Sequence, residues 1–146
     1  MIQLKPISLH NIDDFNGTSY DKLSFHEKKS MILESINKIH NNQYFEFLVV
    51  YKNDTVIGFM NLFAHSQHII SCGPAIKENF QGKGFGFEAE RLALKHAKEK
   101  GFTIAVGGVD ENNMASIKLH EKLGFELDRK YSNNQGRTTR LYIKAI

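Results

Sequence analysis

The stretch Gln81-Gly82-Lys83-Gly84-Phe85-Gly86 constrains this chain most, because it joins an apolar extended run to a helical one. Upstream, Ile69 to Ile76 reads as a buried strand, whereas Ala89, Leu92, Ala93, His96 and Ala97 recur at helical spacing downstream. The glycines therefore fall at a helix N-terminus. There the first backbone N–H groups lack intrahelical partners and the helix dipole favours negative charge, while glycine lets an anion approach the backbone without a clash. Lys83 adds a cation to this nest. A pyrophosphate is thus a natural ligand, although a plain connector or a helix cap has the same look. A P-loop fits worse, since Gly84 rather than Ser or Thr follows Lys83, and a dinucleotide fingerprint lacks its third glycine, where Ala89 stands.

Periodicity organises the rest. Ile2 to Pro6 reads as a first strand whose proline suits a sheet edge. Ser24 with Glu27 forms a capping box for a helix to about His40. Phe45–Tyr51 and Val56–Phe63 form a hairpin about Lys52-Asn53-Asp54-Thr55, and a third strand follows His65-Ser66-Gln67. After the glycine turn come a helix ended by Gly101, a strand from Thr103 to Val109, a helix from Asn113 to Leu123, and a closing pair, Glu126–Tyr131 and Arg140–Lys144. This order predicts one domain over residues 1–146, an α/β sandwich of three layers with a mixed, mostly antiparallel sheet. About seven strands are expected in that sheet. At 146 residues the chain is long enough to bury a proper core.

A net charge of +3 suits a polyanionic ligand but is too small and dispersed for nucleic acid. Cys72 is the only cysteine, which excludes an internal disulfide and suits a reducing cytoplasm. No signal peptide or long apolar span appears, so the sequence reads as a soluble, cytoplasmic protein with no membrane partner. His65 and His68 alone are too few for a metal site.

The spacing Gln81-x-x-Gly84-x-Gly86 resembles the acyl-CoA pyrophosphate loop of the GNAT superfamily of N-acetyltransferases. A second block, Asn113-Met114-Ala115-Ser116-Ile117-Lys118-Leu119-His120-Glu121-Lys122-Leu123-Gly124-Phe125, resembles that family's other signature at every position but His120, where Tyr is usual. The resemblance spans roughly Phe59 to Phe125. It implies the GNAT fold, acetyl-CoA as co-substrate, and direct transfer of the acetyl group to a primary amine of a small molecule or a peptide. It further implies that Gln81 to Gly86 hold the pyrophosphate, that the backbone N–H groups of Ala75, Ile76 and Lys77 bind pantetheine and the carbonyl, and that Asn113 and Ser116 border the cofactor. In the family the strands on either side of the loop and its helix splay apart, and Gly73-Pro74 and Gly107-Gly108 suit such a splay as well as they suit an ordinary bulge.

The chemistry needs a proton taken from the amine and a stabilised leaving thiolate. Gln67 to Ile76 contains no carboxylate, so the strand base that some family members use has no counterpart; His68 and a water relay remain as alternatives. His120 either donates to the thiolate in place of the usual Tyr or is a helix-surface residue. Cys72 reads as a small apolar filler. Acceptor pockets in the family would correspond to Phe15–Phe25 and Ser132–Arg137, which carry no motif, and a homodimer is left open. The missing carboxylate and the Tyr-to-His change also admit a non-catalytic acyl-CoA-binding module on the same fold.

Overall fold

A computed structural model describes residues 1–146. Its sheet is built from β1 (Ile2–Pro6), β2 (Ile39–His40), β3 (Gln43–Lys52), β4 (Thr55–Ala64), β5 (Ile69–Ile76), β6 (Ile104–Asp110), β7 (Glu126–Ser132) and β8 (Thr138–Ala145). The order across it is β1-β3-β4-β5-β6-β8-β7, with β2 a short addition beside β3. Every pairing is antiparallel except β5 with β6. That one parallel contact must be made by a crossover, and helix α2 (Phe85–Glu99) supplies it.

Alternation along β3 and β4 explains why helices lie on both faces. Leu48 and Val50 join Met60, Leu62 and Ile70 in one core, against Ala89, Ala93 and Ala97 of α2 and Ile117 of α3 (Met114–Lys122). Phe47, Val49 and Phe59 project the other way into an aromatic core with Phe15 and with Ile32 of α1 (Phe25–Asn37). Phe15 stacks on Phe59 at 4.6 Å and Tyr20 meets Phe47 edge-on at 5.0 Å, which fixes two short 3-10 turns, Leu9–Phe15 and Ser19–Lys22, over that face.

Helix α1 begins as expected: Ser24 accepts from the Glu27 N–H, and Glu27 returns a bond to the Ser24 N–H. It ends earlier than the sequence suggests, at Asn37, because Lys38 turns into the left-handed region and leads into β2. The expected strands at Gly73-Pro74 contain no bulge. Asn61 faces Gly73 and Met60 faces Pro74 in an unbroken ladder with β4. The irregularity lies on the other side of β5, whose pairing with β6 is confined to Ile69–Ile104 and Ile70–Ala105.

The edge of β3 shows how a helix completes a sheet. β1 covers β3 only as far as Leu48, and Phe45 N–H already reaches the Lys38 carbonyl. Phe47, between them, has no strand neighbour on this edge, and buried Ser35 of α1 fills the gap: its Oγ accepts from Phe47 N–H at 2.7 Å and donates to Phe47 C=O at 3.2 Å. Removing it strands two buried backbone groups. Ser35→Ala is expected to lower stability by about 1–3 kcal/mol, read from the midpoint of urea unfolding.

Candidate functional site

The parting of β5 and β6 opens a cavity of about 650 Å³. Past Ile70 the strands lose their ladder, and Ser71 Oγ, donating to the Val106 carbonyl at 2.9 Å, is the last link between them. Ile69 faces Ile104 in this register, so Cys72 on β5 lies level with Gly107 on β6, one step into the opening. The walls include Ser71 to Ile76, Val106 to Gly108, the start of α3, and Ser19 and Tyr20 from the other face of the sheet.

At one end lies the glycine turn. Gly84 is the N-cap of α2 with φ 84°, a conformation that disfavours other residues, and no side chain caps the helix. The amides that open α2 are left for an external acceptor. Lys83 is exposed with its Nζ 5.9 Å from the Phe80 ring, and Lys52 sets a second cation over the Phe85 ring at 5.0 Å. Both charges suit an anion at this helix start. Gly82 is also left-handed, with φ 76°, and Gly86 lies in the first turn against Ile76 and Pro74. Gln81 lines the cavity and turns inward, its Nε2 donating to the Ile76 carbonyl at 2.9 Å, so that it ties the turn to the end of β5.

Of the three amides assigned to pantetheine, those of Ala75 in β5 and Lys77 just past it turn towards β4. The Lys77 N–H donates to the Ile57 carbonyl of β4 at 2.9 Å. An antiparallel strand alternates the direction of its amides, so Ala75 points the same way as Lys77, and only Ile76 presents its N–H to the opening. Pro74 shares that outward phase and lacks an N–H altogether, at a place where β6 has no carbonyl to offer. His68 lies apart from these residues: it is exposed ahead of β5 and outside the cavity wall, its carbonyl receiving the Thr103 and Ile104 N–H groups.

The α3 residues converge. Asn113 caps the helix by accepting from the Ser116 N–H at 3.1 Å, and both residues line the cavity. His120 is buried rather than on the helix surface. Its ring stacks on Tyr142 at 5.6 Å and meets Phe125 edge-on at 5.0 Å. Nδ1 lies 2.7 Å from the Ser116 carbonyl, which can only accept, so Nδ1 is the donor of this contact. Nε2 is held against β6, where a Cβ built on Gly107 would approach it to 2.5 Å. The close approach that Gly107 permits is therefore that of the imidazole. Cys72 also lines the cavity, and burial pushes its thiol well above the usual range, which suits a packing role and not a nucleophile.

One residue that the motifs do not mark stands in the wall. Glu90 of α2 is 1% exposed, and neither carboxylate oxygen has a hydrogen-bond partner. Burial pushes its carboxyl up to about 8. The available signal is phase: Gly86, Glu90, Ala93 and Ala97 share the inward face of α2, whereas Glu88 pairs outside with Arg91.

The GNAT acetyltransferase family model matches residues 9–125, and the chain belongs to that family. Among characterised relatives it is 30% identical over 70 residues to an L-methionine sulfoximine/L-methionine sulfone acetyltransferase of Pseudomonas aeruginosa, covering 48% of this chain and 37% of that one. It is 29% identical over 83 residues to an L-amino acid N-acyltransferase of Escherichia coli, covering 53% and 48%. The chain thus spans less than half the length of these curated relatives. Solved structures share the fold: a ribosomal-protein-alanine N-acetyltransferase from Brucella melitensis (TM-score 0.84, 15% identity, 100% and 99% of the two chains). So does a putative acetyltransferase from Salmonella typhimurium with its cofactor acetyl-CoA (TM-score 0.78, 14% identity, 99% and 94%).

Glu90 makes stability depend on pH. Its folded value near 8 lies above the ordinary 4.5, so the folded state holds a proton that the unfolded chain has released. That contribution is complete below about 4.5 and is lost as pH rises through about 8. Glu90→Gln cannot titrate, so its stability relative to wild type is expected to improve steadily across that window, by a few kcal/mol in all. Urea unfolding at pH 5 and pH 9 reads the difference; equal gaps at both would show that Glu90 is solvated in solution.

Proposed function

We propose that this chain is an N-acetyltransferase that moves an acetyl group from acetyl-CoA directly to a primary amine. The observation that carries the reading is the continuity of one cavity from the opening of β5 and β6 to the face lined by Ser19, Tyr20, Asn61 and Phe63, which gives two substrates a common meeting place. The residues fit the co-substrate. The bare amides that begin α2, with Lys83 and Lys52, would hold its pyrophosphate, and Ile76 N–H, Asn113 and Ser116 would border its arm. Acetyl-CoA supplies the activated carbonyl and a thiolate leaving group. Cys72 takes no covalent part, and the transfer is direct.

The side of the cavity away from α2 receives the amine. Tyr20 is set there by its edge-on packing with Phe47, and the preceding loop is docked on the β5 end through Glu78 N–H to Gly17 C=O at 3.1 Å and Lys77 Nζ to Asn16 Oδ1 at 3.1 Å. The hairpin Ser132–Arg137 is absent from the wall, so Ser19 and Tyr20 define the acceptor side. The relatives' names place L-amino acids and methionine derivatives first in an acceptor panel, followed by peptide N-termini and polyamines. Thiol release above the no-amine rate with one of these is the expected result; acetyl-CoA binding without release for any amine would favour the non-catalytic module.

The helix start can be tested on its own. Gly84→Asp puts a negative charge into the amide nest and is expected to weaken acetyl-CoA binding more than tenfold, about 1.4 kcal/mol, by calorimetry. Gly84→Asn tolerates the same left-handed backbone without the charge and should lose less. Equal losses would trace the effect to backbone strain.

A further inference from the structure

We propose that Glu90 is the group that carries the transferred proton, taking it from the attacking amine and handing it to the departing sulfur. The proposal rests on the acetyltransferase reading above and assigns to this chain a catalytic residue on α2, where no motif marks one.

Position is the first reason. α2 runs back along β5, its first turn against Ile76 and Pro74 through Gly86, and Glu90, one turn further, next to Cys72. Cys72 is level with Gly107, against which His120 Nε2 is held. Glu90 and His120 thus flank the opening at one height, just beyond the Ser71 link that closes it. The second reason is vacancy of partners. A fully buried carboxyl without a single donor or acceptor is costly unless something else in the cavity supplies one. His120 is less free to move a proton, because its Nδ1 is engaged by the Ser116 carbonyl and its Nε2 is held against Gly107 of β6.

Few other ionisable groups share the surroundings of Glu90. β4 has no ionisable side chain, β5 has only Cys72, and β1 has only Lys5, whose Nζ lies 4.9 Å over the Tyr51 ring. On α2 itself Glu88 is paired with Arg91, and His96 with Glu46. From α3, His120 faces the same cavity, and Lys122 lies over Phe87 at 4.3 Å. Tyr20 lines the far side. Burial holds the carboxyl at about 8, where it gains and loses a proton readily near neutral pH.

The step balances without another reagent. The neutral amine nitrogen forms the C–N bond to the thioester carbonyl carbon, and one N–H proton passes to the Glu90 carboxylate. The C–S bond breaks with its electron pair on sulfur, and the Glu90 O–H proton moves to that thiolate. Amide and free thiol leave, and the carboxylate is restored.

The test compares wild type with Glu90→Gln, which keeps shape and removes the titration. Turnover of the wild type should rise with pH along a limb near 8 that stays in place for two acceptors of different basicity. Glu90→Gln should lose at least about 10²-fold in kcat and have no such limb, with acetyl-CoA affinity by calorimetry unchanged within about twofold. Glu90→Asp should recover part of the rate and the limb. Wild-type and Glu90→Gln profiles of the same shape and height would overturn the assignment and leave acetyl transfer standing. Weakened acetyl-CoA binding with the limb intact would also overturn it, making Glu90 a cofactor contact. A wild type that releases no thiol with any amine would overturn the acetyltransferase reading itself.

Discussion

Two adjacent parallel strands that stop pairing after Ile70 and Ala105 set the terms for everything else in this molecule. Because β5 keeps an unbroken ladder with β4 on its other side, it cannot bend back to meet β6, and the amides and carbonyls on its free side face the cavity. Pro74 sits in that free phase, where its missing N–H costs no sheet hydrogen bond. The α2 crossover that parallel pairing requires begins at this same opening, so the helix start and the gap are one construction.

The sheet also separates the tasks of its two faces. The aromatic core under α1 contains no ionisable side chain among its buried members and positions Tyr20 as part of a rigid stack. The opposite face, between α2 and α3, gathers Cys72, Glu90 and His120 at one height. Desolvation acts strongly on that second face. The same kind of burial that raises Glu90 raises Cys72, and the nearby Glu90 makes ionisation of Cys72 harder still. A carboxyl tuned in this way is held by exclusion of water and not by an opposing charge, and that makes it sensitive to whatever fills the cavity.

The fold was legible in the sequence where spacing alone decides the outcome. Gly84 and Asn113 stand at helix starts, Pro6 at a sheet edge, and Ser24 with Glu27 at a cap, each as local chemistry requires. Site residues were legible only where the local pattern carries their orientation. The amides of Ala75 and Lys77 turn towards β4 because the phase of β5 is set by its register with β4, a contact between distant segments that local pattern does not carry. The place of His68, one residue ahead of β5 and outside the cavity wall, likewise depends on where the strands part. Glu90 was overlooked among the neighbouring charges Glu88 and Arg91. Two residues along a helix turn a side chain about 200°, and that rotation separates a surface ion pair from a buried carboxyl.

The short seam between β5 and β6 has a mechanical meaning. One leaf comprises β1 to β5, the other β6, β8 and β7, and the only strand pairing between them is two residue pairs long. Each leaf has long ladders of its own, so the seam is the compliant line of the sheet, backed by α2, α3 and the Ser71 clasp. Anything lodged in the opening touches both leaves and braces them against each other. Occupancy then reports itself at a distance, in slower amide exchange along β8 and β7, strands that border the opening only through β6.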